Sequence, residues 1–173
     1  MIKIKQANLT DLELLKSISD SNGVRNETGY LERCLSEQKE KKRVILKALY
    51  DEKACAFGML NWEPKYSLYN KLGIPEIQDL NTLQEFRRKG VASSLIKRFE
   101  NITLEQGIEQ IGISVALHSH FGPAQRLYSK LGFIPDGLGV SYDRQPVTPS
   151  EFRPIDDDLC LMLIKSLSAS DDG

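Results

Sequence analysis

The sequence predicts an α/β protein of the α+β kind, with one mixed sheet and helices on both of its faces. Three observations lead there. Short segments of alternating or continuous apolar residues are interleaved with segments of helical periodicity, in the order β-α-α-β-β-β-α-β-α-β-β. No fixed-period repeat occurs, and no linker is long enough to separate domains. The chain has 173 residues, 40% of them hydrophobic and 27% charged, which suits one ordinary globular core and excludes disordered, collagen-like and low-complexity classes. The expected organisation is therefore one domain over 1–173, with 166–173 as a flexible tail.

The elements follow from local chemistry. Ile2 and Ile4 alternate with Lys3 and Lys5, the period of a half-buried strand, and Thr10-Asp11-Leu12-Glu13 then has capping-box spacing. Leu14, Leu15 and Ile18 supply the apolar stripe of the helix that begins there, and Asn22-Gly23 stops it. After a polar loop, Asn22 to Gly29, the charged stretch from Tyr30 to Lys42 reads as a more exposed helix carrying Leu31, Cys34 and Leu35 inward. Val44 to Tyr50 and Ala54 to Trp62 are rich in strand formers and flank Asp51-Glu52-Lys53, the pattern of a hairpin. Ile77 to Leu83 is the next strand. Val91, Leu95, Phe99 and Ile102 recur at helical spacing up to Gly107. Ile111, Ile113, Val115 and Leu117 alternate as a strand, and Pro123 opens a helix bearing Ala124, Leu127, Tyr128 and Leu131, closed by Gly132. Phe133-Ile134 begins another strand, Gln145 to Asp157 is a proline-broken loop, and Leu159 to Ile164 is a continuous apolar run suited to a central strand.

Charge and cysteine content narrow the function. Lys plus Arg total 23 and Asp plus Glu 24, a formal charge of −1, so nothing global drives the chain onto nucleic acid or an anionic membrane. Cys34, Cys55 and Cys160 are odd in number and far apart, which suggests reduced, buried thiols rather than a disulfide framework or zinc cluster. Ile2 to Ile4 lacks the apolar run of a signal peptide, and no stretch approaches a membrane span, so the cytoplasm is the expected compartment.

The strongest local feature is Arg87-Arg88-Lys89-Gly90-Val91-Ala92, where a strand gives way to a helix. Open N–H groups at a helix start, the positive end of its dipole, a glycine that admits an anion and three adjacent cations describe a phosphate site. A solvated basic turn has the same composition. Neither a Gly-Lys-Ser/Thr loop nor a dinucleotide glycine triplet is present, so an NTPase and a nicotinamide enzyme are unsupported.

Here the sequence resembles the GNAT superfamily of N-acetyltransferases. Its signature, Gln or Arg, two variable residues, Gly, one variable residue, then Gly or Ala, is matched by Arg87, Gly90 and Ala92. A second family element, Ala followed by Leu-Tyr, Lys and Gly-Phe, is matched by Ala124, Leu127, Tyr128, Lys130, Gly132 and Phe133. The order of elements matches from Ile2 to Lys165, the motifs only from Ile77 to Phe133. The resemblance implies a mostly antiparallel sheet splayed at its middle strands and direct transfer of an acetyl group from acetyl-coenzyme A to a primary amine, without a metal. It places the coenzyme A pyrophosphate on the turn formed by Arg87, Arg88, Lys89, Gly90, Val91, Ala92 and Ser93, and the pantetheine arm and thioester along Leu80, Asn81 and Thr82. Tyr128 becomes the group that assists the departing thiolate, although its helical face also suits a core tyrosine. Asp79, and after it Glu76, are the carboxylates available to take the amine proton; both also read as strand-edge charges.

Two departures stand out. Phe121 occupies the position where many members place an Asn that bonds pantetheine, and the run Ala116 to Gly122 is longer than usual. His118 and His120 are expected to face solvent, and two histidines do not make a metal site. Asp156, Asp157 and Asp158 alternate in direction on an extended segment and read as a solvated rim. The implied partners are a small-molecule or peptide amine, with no nucleic acid or membrane, and the protein would be a monomer or homodimer. The rival expectation is an acyl-coenzyme A binding or sensing module that acetylates nothing.

Overall fold

The computed structural model describes residues 1–168. Its elements in chain order are β1 (Ile2–Gln6), α1 (Leu12–Ser21), α2 (Tyr30–Lys39), β2 (Arg43–Tyr50), β3 (Lys53–Asn61), α3 (Ser67–Leu72), β4 (Glu76–Thr82), α4 (Val91–Glu105), β5 (Gln110–Ala116), α5 (Gly122–Lys130), β6 (Ile134–Tyr142), β7 (Gln145–Pro146) and β8 (Leu159–Ser166). The strands form an eight-stranded sheet in the order β1-β2-β3-β4-β5-β8-β6-β7. No helix among the described residues is long and apolar enough to cross a membrane.

Packing divides the chain into two compact units, the first made of Met1–Trp62 and Ile77–Asn101, the second of Glu63–Glu76 and residues 102–168. In the first, β2 pairs antiparallel with both β1 and β3. Tyr50 faces Lys53 across a two-residue turn in which Asp51 and Glu52 both have positive φ, 46° and 67°, the twist that a tight hairpin demands. Leu15 and Ile18 of α1 and Leu31, Cys34 and Leu35 of α2 pack with Ile45, Phe57 and Met59 of the sheet. Full burial of a side chain the size of Leu15 or Ile18 contributes about 1.5–3 kcal/mol, so the apolar stripe rather than helix propensity holds these short helices in place. Gly58 permits a close approach: a Cβ there would lie 3.0 Å from Leu80 Cδ1 and 3.1 Å from Phe99 Cε2.

In the second unit β8 lies antiparallel to β5 on one side and β6 on the other, the central place its continuous apolar run suits. Tyr66, Tyr69, Ile74, Ala116, Cys160 and Met162 form its core. The carbonyl of Pro75, just before β4, accepts the Gly112 N–H of β5 at 2.9 Å.

Several expectations are corrected. The capping box is built two residues earlier than Thr10-Glu13: Asn8 Oδ1 accepts the Thr10 N–H and Asp11 Oδ2 accepts the Asn8 N–H, both at 2.9 Å, around a 3₁₀ turn at Leu9–Asp11. The second helix ends at Lys39, because Lys41 turns to φ 60°. Helix α3 was not anticipated; Gly73, at φ 67°, closes it. The loop expected from Gln145 opens with β7, which pairs with the end of β6. Ser166 does not fray: it pairs with Gln110, and the Leu167 N–H donates to the Glu109 carbonyl at 2.7 Å. The rest of the expected tail, 169–173, lies outside the described residues.

Candidate active site

The basic turn lies between a 3₁₀ turn at Gln84–Phe86 and α4. Arg88 and Gly90 both have positive φ, 62° and 80°. A Cβ on Gly90 would meet only Ile2 Cδ1, at 3.9 Å, so the backbone conformation rather than crowding calls for glycine. The Gly90 carbonyl accepts the Ser94 N–H at 3.0 Å and the Ser94 hydroxyl at 2.9 Å. The N–H groups of Val91, Ala92 and Ser93 therefore precede the first intrahelical donor, at the positive end of a fifteen-residue helix.

The three cations of the turn are placed differently. Lys89 Nζ sits 5.1 Å from the Tyr50 ring centre and 5.2 Å from that of Phe86, held by cation–π attraction. The Arg87 guanidinium is committed to the protein: Nε donates to the Thr82 carbonyl at 3.2 Å and Nη2 to Asn22 Oδ1 at 3.0 Å. Arg88 is exposed.

Asp79 breaks the regularity of β4 with φ 52°. Its carboxylate accepts the Tyr30 hydroxyl, and burial, reinforced by the Asp79 charge, pushes that hydroxyl above the ordinary tyrosine range. Asn81 Nδ2 donates back to the Asp79 carbonyl at 3.1 Å. Leu80 packs over Gly58, and the Thr82 carbonyl, expected to face pantetheine, already accepts Asn22 Nδ2 at 3.2 Å as well as Arg87 Nε. Beside this stretch the buried Arg43 donates through Nε to Glu37 Oε2 at 2.7 Å and through Nη1 to Gln78 Oε1 at 3.2 Å. Tyr30, Arg43 and Asn22 did not stand out in the sequence. The one local hint was Gly29-Tyr30 at a helix start.

Glu76 and Tyr128 belong to the second unit. Glu76 is not a strand-edge charge: it is fully buried and accepts Arg144 Nη2, from the turn between β6 and β7, at 3.1 Å. That buried ion pair is a structural duty that sets Glu76 apart from Asp79. Tyr128 is buried on α5, its ring centre 6.2 Å from that of Phe133, and burial pushes its hydroxyl up to about 12. Among the described residues that hydroxyl has no hydrogen-bond partner.

His118 does not simply face solvent. It is half-buried, with Nε2 2.6 Å from Asp157 Oδ1 and its ring 5.0 Å from that of Phe121. Phe121 packs against the second core, so an apolar contact stands where the family's Asn would reach a ligand. Asp156 accepts the Tyr142 hydroxyl at 2.8 Å, which lowers its pKa, while Asp157 turns to His118. No group of three metal-ligand side chains occurs among the described residues.

Comparison with known proteins shows the family and the fold. The sequence profile of the Acetyltransferase (GNAT) family matches residues 12–133. The search of curated proteins found no match to this chain. Among solved structures, the ribosomal-protein-S18-alanine N-acetyltransferase from Escherichia coli has a TM-score of 0.70 at 14% identity, covering 100% of this chain and 98% of that one. An N-acetyltransferase from Staphylococcus aureus Mu50 has a TM-score of 0.72 at 12% identity, covering 97% and 99%. The PaiA N-acetyltransferase from Thermoplasma acidophilum, in complex with coenzyme A, has a TM-score of 0.62 at 19% identity, covering 96% and 99%. At such identities the likeness is one of fold.

Proposed function

Because the chain belongs to the GNAT family of acetyltransferases, we propose that it moves the acetyl group of acetyl-coenzyme A directly onto a primary amine, with no covalent enzyme intermediate. The observation that carries this reading is the turn before α4, where Gly90 at φ 80° leaves the N–H groups of Val91, Ala92 and Ser93 open to an anion. These amides, with Arg88 and Lys89 as flanking charge, would hold the pyrophosphate. Leu80 and Asn81 would offer backbone groups to the pantetheine arm and the thioester oxygen, whose negative charge grows during attack.

An amine with pKa about 10.4 is mostly protonated at pH 7, and freeing it costs roughly 4.6 kcal/mol, so a proton acceptor is needed. Asp79 is the proposed acceptor, its carboxylate steadied by Tyr30. Glu76, paired with Arg144, is the weaker choice. Tyr128 would serve the leaving sulfur as a hydrogen-bond donor. With its hydroxyl pushed up to about 12 and a thiol at about 8.5, complete proton transfer would be strongly uphill. The proposed setting is the cytoplasm, and the acceptor a small-molecule or peptide amine.

Packing of Phe121 into the second core favours a second reading, an acyl-coenzyme A binding module without transfer. Steady release of free thiol on mixing acetyl-coenzyme A with a panel of amines supports transfer; binding without release supports the module. Gly90→Asp tests the site itself, since it sets a side chain and a negative charge where the phosphate must approach. Calorimetry should show coenzyme A affinity lost in a folded variant, and unchanged affinity would move the phosphate site elsewhere.

A further inference from the structure

Arg87 and Asn22 form a contact that the phosphate-binding reading does not use. Asn22 caps the C-terminal end of α1, and both ends of its side-chain amide are engaged. Oδ1 accepts Arg87 Nη2 at 3.0 Å, while Nδ2 donates to the Thr82 carbonyl at 3.2 Å and reaches Asn81 Oδ1 at 3.4 Å. Arg87 Nε bonds the same Thr82 carbonyl, so guanidinium, amide and carbonyl close a small ring. Asn81 extends the chain to the carbonyl of Asp79, where β4 leaves regular geometry. The Nε–Nη2 edge of Arg87 is engaged by the protein in this ring.

We propose that Asn22 is a positioning residue that locks the phosphate-binding turn to the irregular stretch of β4, and that Arg87 acts as its strut rather than as a ligand of the anion. The inference rests on the coenzyme A reading of the turn. A phosphate held by Val91, Ala92 and Ser93 would then bind a turn already fixed in place, with Arg88 and Lys89 supplying the charge. A strut depends on the fork and a ligand on the charge, and this separates the two roles.

The experiment compares wild type with Asn22→Ala, Asn22→Asp and Arg87→Lys. Coenzyme A affinity is measured by calorimetry at two salt concentrations, and amide hydrogen exchange over residues 82–93 is followed without ligand. Asn22→Ala should weaken coenzyme A about fivefold, the factor of one ordinary hydrogen bond, and speed exchange in the turn. Asn22→Asp should fall equally, because it sets an oxygen against the Thr82 carbonyl. Arg87→Lys keeps the charge but loses the fork, so it should match Asn22→Ala, with the wild-type salt dependence and little further loss in the double variant. Wild-type affinity in Arg87→Lys together with wild-type exchange in Asn22→Ala would overturn the proposal. So would losses in Asn22→Ala and Arg87→Lys that add in full in the double variant, which show the two residues acting independently. If wild type fails to bind coenzyme A, the functional reading fails, while exchange in Asn22→Ala still decides whether Asn22 holds the turn.

Discussion

Replacing Gly112 by alanine should unfold the second unit far more readily than the gain of one methyl group suggests. The new Cβ would sit 2.5 Å from Tyr69 Cε2 and Cζ and 3.0 Å from Cδ2, where carbon atoms ordinarily rest about 3.5–4.0 Å apart. Neither side can yield easily. Gly112 is pinned by its N–H bond to Pro75 and by pairing with Ile164 in β8. Tyr69 is fully buried, its hydroxyl donates to the Leu163 carbonyl at 2.5 Å, and its ring stands edge-on to Tyr66 with centroids 4.8 Å apart. Overpacking alone costs about 1–3 kcal/mol, and a ring forced off its hydrogen bond adds about 1–3 kcal/mol. A central value of about 4 kcal/mol is a large part of the stability of any domain and lowers the thermal midpoint by roughly 8–16 °C at this chain length. Urea denaturation followed by circular dichroism measures it. Tyr69→Leu in the alanine background should cost less than the two single changes summed, because it removes the atoms that collide. A Gly112→Ala protein within about 0.5 kcal/mol of wild type would refute the reasoning.

Three further outcomes are expected. Tyr128→Phe should lower kcat by about a hundredfold with little change in the KM for acetyl-coenzyme A, since the hydroxyl serves a charge that appears only as the thiolate leaves; near wild-type turnover would leave it a core tyrosine. Asp79→Asn should keep coenzyme A binding, lose activity at neutral pH and regain about tenfold per pH unit as the free amine deprotonates below pH 10.4, whereas pH profiles parallel to wild type would exclude it as proton acceptor. Burial acts against the Asp11 carboxylate, but the Lys47 hydrogen bond at 2.5 Å and the Asn8 N–H outweigh it and lower its pKa. The stability from that shift is present above the ordinary carboxylate value and lost as pH falls through the lowered one, so the deficit of Asp11→Asn in urea should be plain at pH 7 and shrink towards pH 3; a deficit independent of pH would assign it to packing.

What the sequence made legible was governed by neighbours along the chain. Leu31, Cys34 and Leu35 declare a buried helical face at i, i+3 and i+4, and all three are buried. The run from Leu159 to Ile164 declares a central strand, and β5 and β6 flank it. Helix α3 spans six residues, too few for a period to emerge. Asn8-Asp11 and Thr10-Glu13 have the same spacing, and only the path of the backbone chose between them. The site depended on pairings that spacing cannot reveal. Tyr30 meets Asp79 across 49 positions and Arg144 meets Glu76 across 68, and the turn of Asp79 to positive φ leaves no mark in a residue that is not glycine.

The position of β8 also bears on the order in which the second unit can assemble. Strands β5 and β6 come earlier in the chain, yet they meet each other only through β8, which arrives after both. Pairing Gln110 with Ser166 closes a loop of more than fifty residues, so β5 and the β6–β7 hairpin cannot be joined by adding strands in chain order. Until β8 inserts, β5 and β6 each present an unpaired edge, and β8 itself is an apolar segment seeking two. A chain arrested before Leu159 would hold both edges open indefinitely, and its hazard would be association with other chains rather than simple loss of activity.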